Sequence, residues 1–153
     1  MSIDWKYRDA CDAVDMRDRD RSAISDVPKS SGLAGQYSHH HRLLRSRGGT
    51  DSPANLLLLL GSGTTSEHGW VHRYPAIATV LGLVVATGGD PQTVPVWRVD
   101  AFGMSHGWHL QLDDGTLQPT TPPTEYSPTA LRSAITEYDR LMRDSRLTAI
   151  AHL

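Results

Sequence analysis

Residues 39–72 run HHHRLLRSRGGTDSPANLLLLLGSGTTSEHGWVH, and the order of side chains in that stretch governs the reading of the whole chain. Three adjacent histidines, His39, His40 and His41, precede the paired glycines Gly48 and Gly49, then Asn55, then His68 and His72. Imidazole is the commonest transition-metal ligand and can also take a proton near neutral pH. A chain that clusters both capacities points to metal-assisted chemistry. Each piece alone has a plainer account: the triplet as a solvated polar patch, the H-x-x-x-H as a surface coincidence. Together and in order they do not commonly arise by accident.

Local patterning puts these residues on elements. Residues 36–44 are compatible with a strand, and 45–54 form a loop whose paired glycines permit backbone angles closed to other residues. The apolar run at 56–60 is bounded by turn signals and predicts a buried strand. Thr64, Thr65 or Ser66 can cap a helix whose first turns span 68–74, before Pro75. On such a helix His68 and His72 share one face and can bind one ion, at about 2.0–2.1 Å each if it is zinc. A third histidine from an adjacent strand would complete a set with an open coordination position, as in catalytic rather than structural metal sites.

Outward from this core, helical spacing of Tyr7, Ala10, Cys11 and Val14 predicts a helix over 5–16, and the alternating charges at 17–21 suggest its solvated end. Residues 27–35 are a loop by composition. Beyond the core, 76–81 resembles a short helix stopped by Gly82, and 83–85 is a strand candidate. A strand over 94–99 is placed at an edge by Pro95. A hairpin follows: Trp108, Leu110 and Leu112 alternate, Asp113-Asp114-Gly115-Thr116 turns, and Leu117 returns. Residues 118–125 are a linker rich in proline and threonine. The last helix has Ser127 as cap, Pro128 at its first position and a stripe of Leu131, Ile135, Tyr138, Leu141 and Met142. The expectation is one α+β domain over 1–153: an N-terminal helix and loop (1–35), the core (36–86), a β-hairpin and linker (87–126) and a C-terminal helix (127–153).

Composition narrows the function. The 153 residues carry a formal charge of −2, which argues weakly against a protein that coats nucleic acid. Yet 37–50 holds Arg42, Arg45 and Arg47 with no acid, and a local basic stripe can hold phosphates. A solvated arginine face is the plainer account of those arginines alone. The single Cys11 allows no internal disulfide and no thiolate zinc site, which fits a reducing, cytoplasmic setting. The N-terminus lacks an apolar signal core, and the longest apolar run is too short to span a bilayer, so a soluble protein without a membrane partner is expected.

The stretch HHRLLRSRGGTDSPANLLLLLGSGTTSEHGWVHRYPAIATVLGLVV, residues 40–85, resembles the HNH (His-Asn-His) endonuclease family, in particular small nucleases of actinobacterial tailed phages. The resemblance implies a ββα-metal core: two strands joined by a long loop, then a helix, holding one divalent cation. It implies His40 as the strand-borne ligand, His68 and His72 as the helix-borne ligands, and His41 as the general base. Asn55 would orient His41 and brace the loop hinged at Gly48 and Gly49, while Arg42, Arg45 and Arg47 would contact phosphates. The family's two histidines, arginine, Arg-Ser and Gly-Gly fit His40-His41-Arg42, Arg45-Ser46 and Gly48-Gly49. His39 is then a bystander or substrate contact, with His39/His40 as the alternative ligand and base.

The implied activity is metal-dependent hydrolysis of DNA phosphodiester bonds, nicking duplex DNA with low specificity and leaving 5′-phosphate and 3′-hydroxyl ends. Double-stranded DNA is the implied partner, with the phage DNA-packaging (terminase) complex as a further one. Three imidazoles favour zinc, nickel, cobalt or manganese over magnesium. Many relatives add a structural zinc knuckle of four cysteines, but here Ser22, Ser25, Leu60 and Glu67 stand at the matching positions. No structural zinc is therefore expected, and packing of 56–60 against the terminal helices is expected to offset its loss. Other readings are a catalytically degenerate module that binds DNA or a partner, and a hydrolase acting elsewhere. The retained His41 speaks against the former, the arginine stripe against the latter.

The remaining singular residues carry plain expectations. His106 and His109 are surface or strand residues, and His152 lies in a frayed terminus. Trp5, Trp70, Trp97 and Trp108 serve packing. Cys11 is a small buried hydrophobe.

Overall fold

The computed structural model describes residues 3–31 and 36–151 and is a mixed α+β structure. Gly32, Gly35 and His152 lie outside the described residues. Its centre is the run of five leucines, which forms strand β2 (Leu56–Leu60) with every residue buried. Strand β1 (Tyr37–His41) pairs with it antiparallel, His40 opposite Leu57 and His41 opposite Leu56. Both faces of β2 are covered, which is why it is continuously apolar rather than alternating. Leu56 and Leu58 pack on Ala10 and Val14 of helix α1 (Tyr7–Arg17). Leu57 and Leu59 join the larger core with Val71, Ala78, Leu81, Val96 and Tyr138. The same period of two sends His40 to that second face and His39 and His41 toward α1.

Helix α2 (Ser66–Arg73) follows β2, with Thr65 as the capping residue by backbone only, and α3 (Pro75–Val80) follows at once. Strands β3 (Val96–Val99), β4 (His106–Gln111) and β5 (Leu117–Pro119) form a second antiparallel sheet in that order. β3 therefore sits at an edge, as Pro95 predicts. Helix α4 (Pro128–Ala151) begins with the Ala130 amide donating to Ser127 Oγ at 3.1 Å, and buries Ala134 and Tyr138 against the core.

Two expectations are corrected. Residues 83–85 form no strand: the Leu83 amide bonds the Ala78 carbonyl and the Val85 amide that of Arg42. Gly82, at φ +71°, brings the chain so close to β3 that a Cβ there would lie 1.9 Å from the Pro95 carbonyl oxygen. Leu83 and Val85 are buried as a wedge, and their apolar character reflects burial rather than a ladder.

The charges ending α1 are not all solvated either. Arg17 and Asp18 are buried, with Asp18 Oδ1 accepting from Arg17 Nε at 2.8 Å and from Arg98 Nη2 at 2.7 Å. Arg17 also donates to the Pro53 and Leu56 carbonyls, at 2.7 and 2.8 Å, and so ties α1 to the approach of β2.

All four knuckle-matching positions meet in a hydrogen-bonded cluster. Buried Glu67 accepts from Ser22 Oγ at 2.5 Å and from the Leu60 amide at 3.0 Å, while Ser22 Oγ accepts the Ile24 and Ser25 amides. Packing of the leucines is thus joined by a polar link between the N-terminal segment, β2 and α2. Among the described residues no helix is long and apolar enough to cross a membrane.

Candidate metal centre

His40, His68 and His72 come together from β1 and α2, with three ring nitrogens within 4.8 Å of one another. The strand supplies His40 because its residues alternate, and the helix supplies the other two on successive turns. Hydrogen bonds then select which nitrogen faces the centre. His40, 1% exposed, donates from Nε2 to the Leu83 carbonyl at 2.8 Å, which leaves Nδ1 as a buried lone pair with no protein partner.

Ser38 Oγ donates to the Gly61 carbonyl at 2.9 Å, so it must accept from His68 Nδ1 at 2.6 Å. His68 Nε2 is thereby left as a lone pair, facing His72 Nε2 at 2.9 Å. Backbone and hydroxyl partners of this kind fix ring orientation and tautomer in metal sites. Burial pulls the pKa of His40 down to about 3, and burial followed by the repulsion of His72 pulls that of His68 down to about 4. Both rings are neutral at pH 7, the form that ligates a cation. The orphaned His40 nitrogen and the all-imidazole donor set fit a divalent transition-metal ion.

His39 stays out of the trio. Its Nε2 bonds Asp15 of α1 at 2.8 Å, and Lys29 holds the same carboxylate at 3.3 Å. His41, also turned toward α1, stacks on Tyr7 with ring centroids 5.9 Å apart and 17° between planes. Its Nε2 lies 2.8 Å from Asp51 Oδ1. That carboxyl is held below its usual value: burial would raise it, but hydrogen bonds from His41 and Arg45 outweigh burial.

The structure corrects two of the expected roles. Asn55 braces the loop through the Leu43 amide and carbonyl and the Thr50 carbonyl, at 2.7, 2.9 and 2.9 Å, and makes no bond to His41. The contact to His41 comes from Asp51 instead.

Arg42 is not a phosphate contact. It is fully buried and donates to the backbone carbonyls of Gly82, Ala54, Pro91 and Val94. It follows His41 on a chain turning inward, so its charge is spent on these four carbonyls, of which that of Ala54 also accepts from Gln111 Nε2 at 3.1 Å.

The other arginines face outward. Arg45 is exposed, donates from Nε to Asp51 at 2.9 Å and lies over the Tyr7 ring at 4.7 Å. Arg47 is exposed, and among the described residues no hydrogen bond or ion pair engages its side chain. The paired glycines serve different ends: Gly48 takes a left-handed φ of +93°, and a Cβ on Gly49 would meet the Leu43 carbonyl oxygen at 1.8 Å.

Ser38, Tyr7 and Asp51 escaped the sequence reading. Ser38 had a signal, since it lies two residues before His40 and so on the same face of the strand. Tyr7 had none, because its approach to His41 is purely tertiary. The chain matches no protein-family model, no curated protein and no solved structure.

Proposed function

We propose that the chain is a metal-dependent endonuclease of the HNH type, in which β1, β2 and α2 make the ββα-metal core and duplex DNA is the substrate. The observation that carries this reading is the convergence of three imidazoles, one with an orphaned buried nitrogen, beside a fourth histidine on the next residue of the same strand. His40, His68 and His72 would hold the cation, of which zinc, nickel, cobalt and manganese suit imidazole better than magnesium. When bound, such an ion supplies Lewis-acid neutralisation of charge building on the phosphate and on the departing oxygen.

His41 acts as the general base. It takes a proton from the attacking water as the water oxygen bonds to phosphorus and the bond to the 3′ oxygen breaks; the departing 3′ oxygen takes a proton from solvent water, which leaves 5′-phosphate and 3′-hydroxyl ends. Arg47 and the outer face of Arg45 meet phosphates and position the duplex without reading its sequence, so cleavage has low specificity. A non-catalytic binding module of the same fold is the competing reading. It has no use for a base beside the ligand set.

The test is cleavage of supercoiled plasmid by wild type and His41→Ala, with manganese, nickel, zinc or magnesium and with a chelator. Metal-dependent nicking that disappears in His41→Ala is the expected result. Folded, metal-loaded wild type that leaves the plasmid intact with every ion would overturn the nuclease reading in favour of the binding module.

A further inference from the structure

We infer that Asp51 is the positioning residue for His41, and that Arg45 fixes the orientation of Asp51, so that the imidazole is held as the Nε2–H tautomer with Nδ1 free to take a proton. The inference rests on the reading of His41 as the base. Its geometry is that of a closed ring of four side chains. Asp51 Oδ1 accepts from His41 Nε2 at 2.8 Å and from Arg45 Nε at 2.9 Å. The Arg45 guanidinium lies 4.7 Å over the Tyr7 ring, and Tyr7 stacks on His41.

The chemistry admits one tautomer. An ionised carboxylate only accepts hydrogen bonds, so the proton on a neutral His41 must sit on Nε2. Nδ1 then carries the lone pair. A histidine base held in the wrong tautomer loses up to about 10⁴ in rate, so the contact bears directly on turnover. Tyr7, from a helix far from the loop in sequence, limits rotation of the ring about its own plane. Asn55 cannot do this work, because both ends of its amide are committed to Leu43 and Thr50.

Arg45 makes the arrangement specific. In Asp51→Asn the new amide could turn either its oxygen or its nitrogen to His41. Arginine has only donors, so Arg45 favours the rotamer that keeps the oxygen on the shared side. Asp51→Asn therefore keeps the tautomer while Arg45 is present and loses it when Arg45 is removed. A merely structural aspartate would not show this dependence.

Two measurements test the inference. The first is ¹⁵N NMR of the His41 ring in metal-free protein, assigned against His41→Ala. Wild type and Asp51→Asn are expected as Nε2–H, and Asp51→Ala and Asp51→Asn/Arg45→Ala as mixed or Nδ1–H.

The second is plasmid nicking. Asp51→Ala is expected to lower kcat by about 10–10²-fold with KM within about twofold, because it removes orientation rather than the base itself. The double variant is expected to lose more than the product of its single variants, and zinc affinity to stay within about twofold because Asp51 touches none of the trio. An Nδ1–H ring in wild type, or an unchanged tautomer in both Asp51→Ala and the double variant, would overturn the inference whatever the plasmid does. Wild type that fails to cleave while the tautomer shifts as expected would instead remove the nuclease reading and leave the hold of Asp51 on His41 standing. If the alanine variant does not fold, the double variant carries the same comparison.

Discussion

Replacing Arg42 separates a buried structural arginine from one that faces solvent. Arg42 donates to Gly82 O at 2.8 Å, Ala54 O at 3.0 Å, Pro91 O at 2.8 Å and Val94 O at 2.8 Å. Burial, with the like charges of Arg17 and Arg98, pulls its pKa down to about 9, so it remains charged at neutral pH. Hydrogen bonds to a charged group are worth about 1.5–3 kcal/mol each, so four give a gross value of roughly 6–12 kcal/mol. Much of that offsets the desolvation of the guanidinium, and removal of one partner from a buried charged arrangement typically costs about 3–5 kcal/mol.

Arg42→Ala is therefore expected to lose about 3–5 kcal/mol, with the Gly82, Pro91 and Val94 carbonyls left without their side-chain donor and that of Ala54 left with Gln111 alone. At about 2–4 °C per kcal/mol for a domain of this size, Tm should fall by roughly 6–20 °C. Arg42→Lys, with three donors on a point charge, should lose less. Arg47→Ala is the control: its Tm should stay within about 1 °C of wild type, with any loss confined to DNA affinity and its salt dependence. Thermal melts and urea midpoints of the three variants decide the matter. A folded Arg42→Ala melting with wild type but bound weakly to DNA would refute the buried assignment.

Three further outcomes are expected. Burial alone would push the Asp18 carboxyl up, but Arg17 and Arg98 outweigh it and hold it at about 2 against 3.8 for the free side chain. That gap contributes about 2 kcal/mol, which is present above about pH 4 and lost as the pH falls through about 2. Asp18→Asn should flatten the urea midpoint across that window.

Zinc or nickel at a hundred times its Kd should stabilise the fold by about 2.7 kcal/mol, read as a Tm increase that His40→Ala abolishes. Ser38→Ala removes the hydroxyl that orients His68 and should lower zinc affinity by about 10–100-fold, measured by calorimetry, while Tm changes little.

The choice of His40 among the three adjacent histidines came from the family resemblance, whereas periodicity and spacing by themselves determined the α+β class, the buried strand at 56–60, the helices around 5–16 and 127–153, and the placing of His68 and His72 on one helix face. These are local properties. A period of two or of 3.6 residues puts side chains on a face whatever the rest of the molecule does. Local pattern could not supply the partners.

Arg42 and Arg47 are alike in sequence, yet one is enclosed by four carbonyls from three separate segments and the other faces water. Asn55 and Asp51 sit in one loop, and only the path forced by Gly48 and Gly49 decides which of them reaches His41. Residues 83–85 carry strand-forming side chains but meet no free edge, because Gly82 presses them against the approach to β3. The pairing of Asp18 with Arg98, and the stacking of Tyr7 on His41, likewise join segments distant in the chain. Hydrogen-bond partners, burial of charge and the tautomer of each imidazole are set by such meetings, and only the tertiary structure decides them.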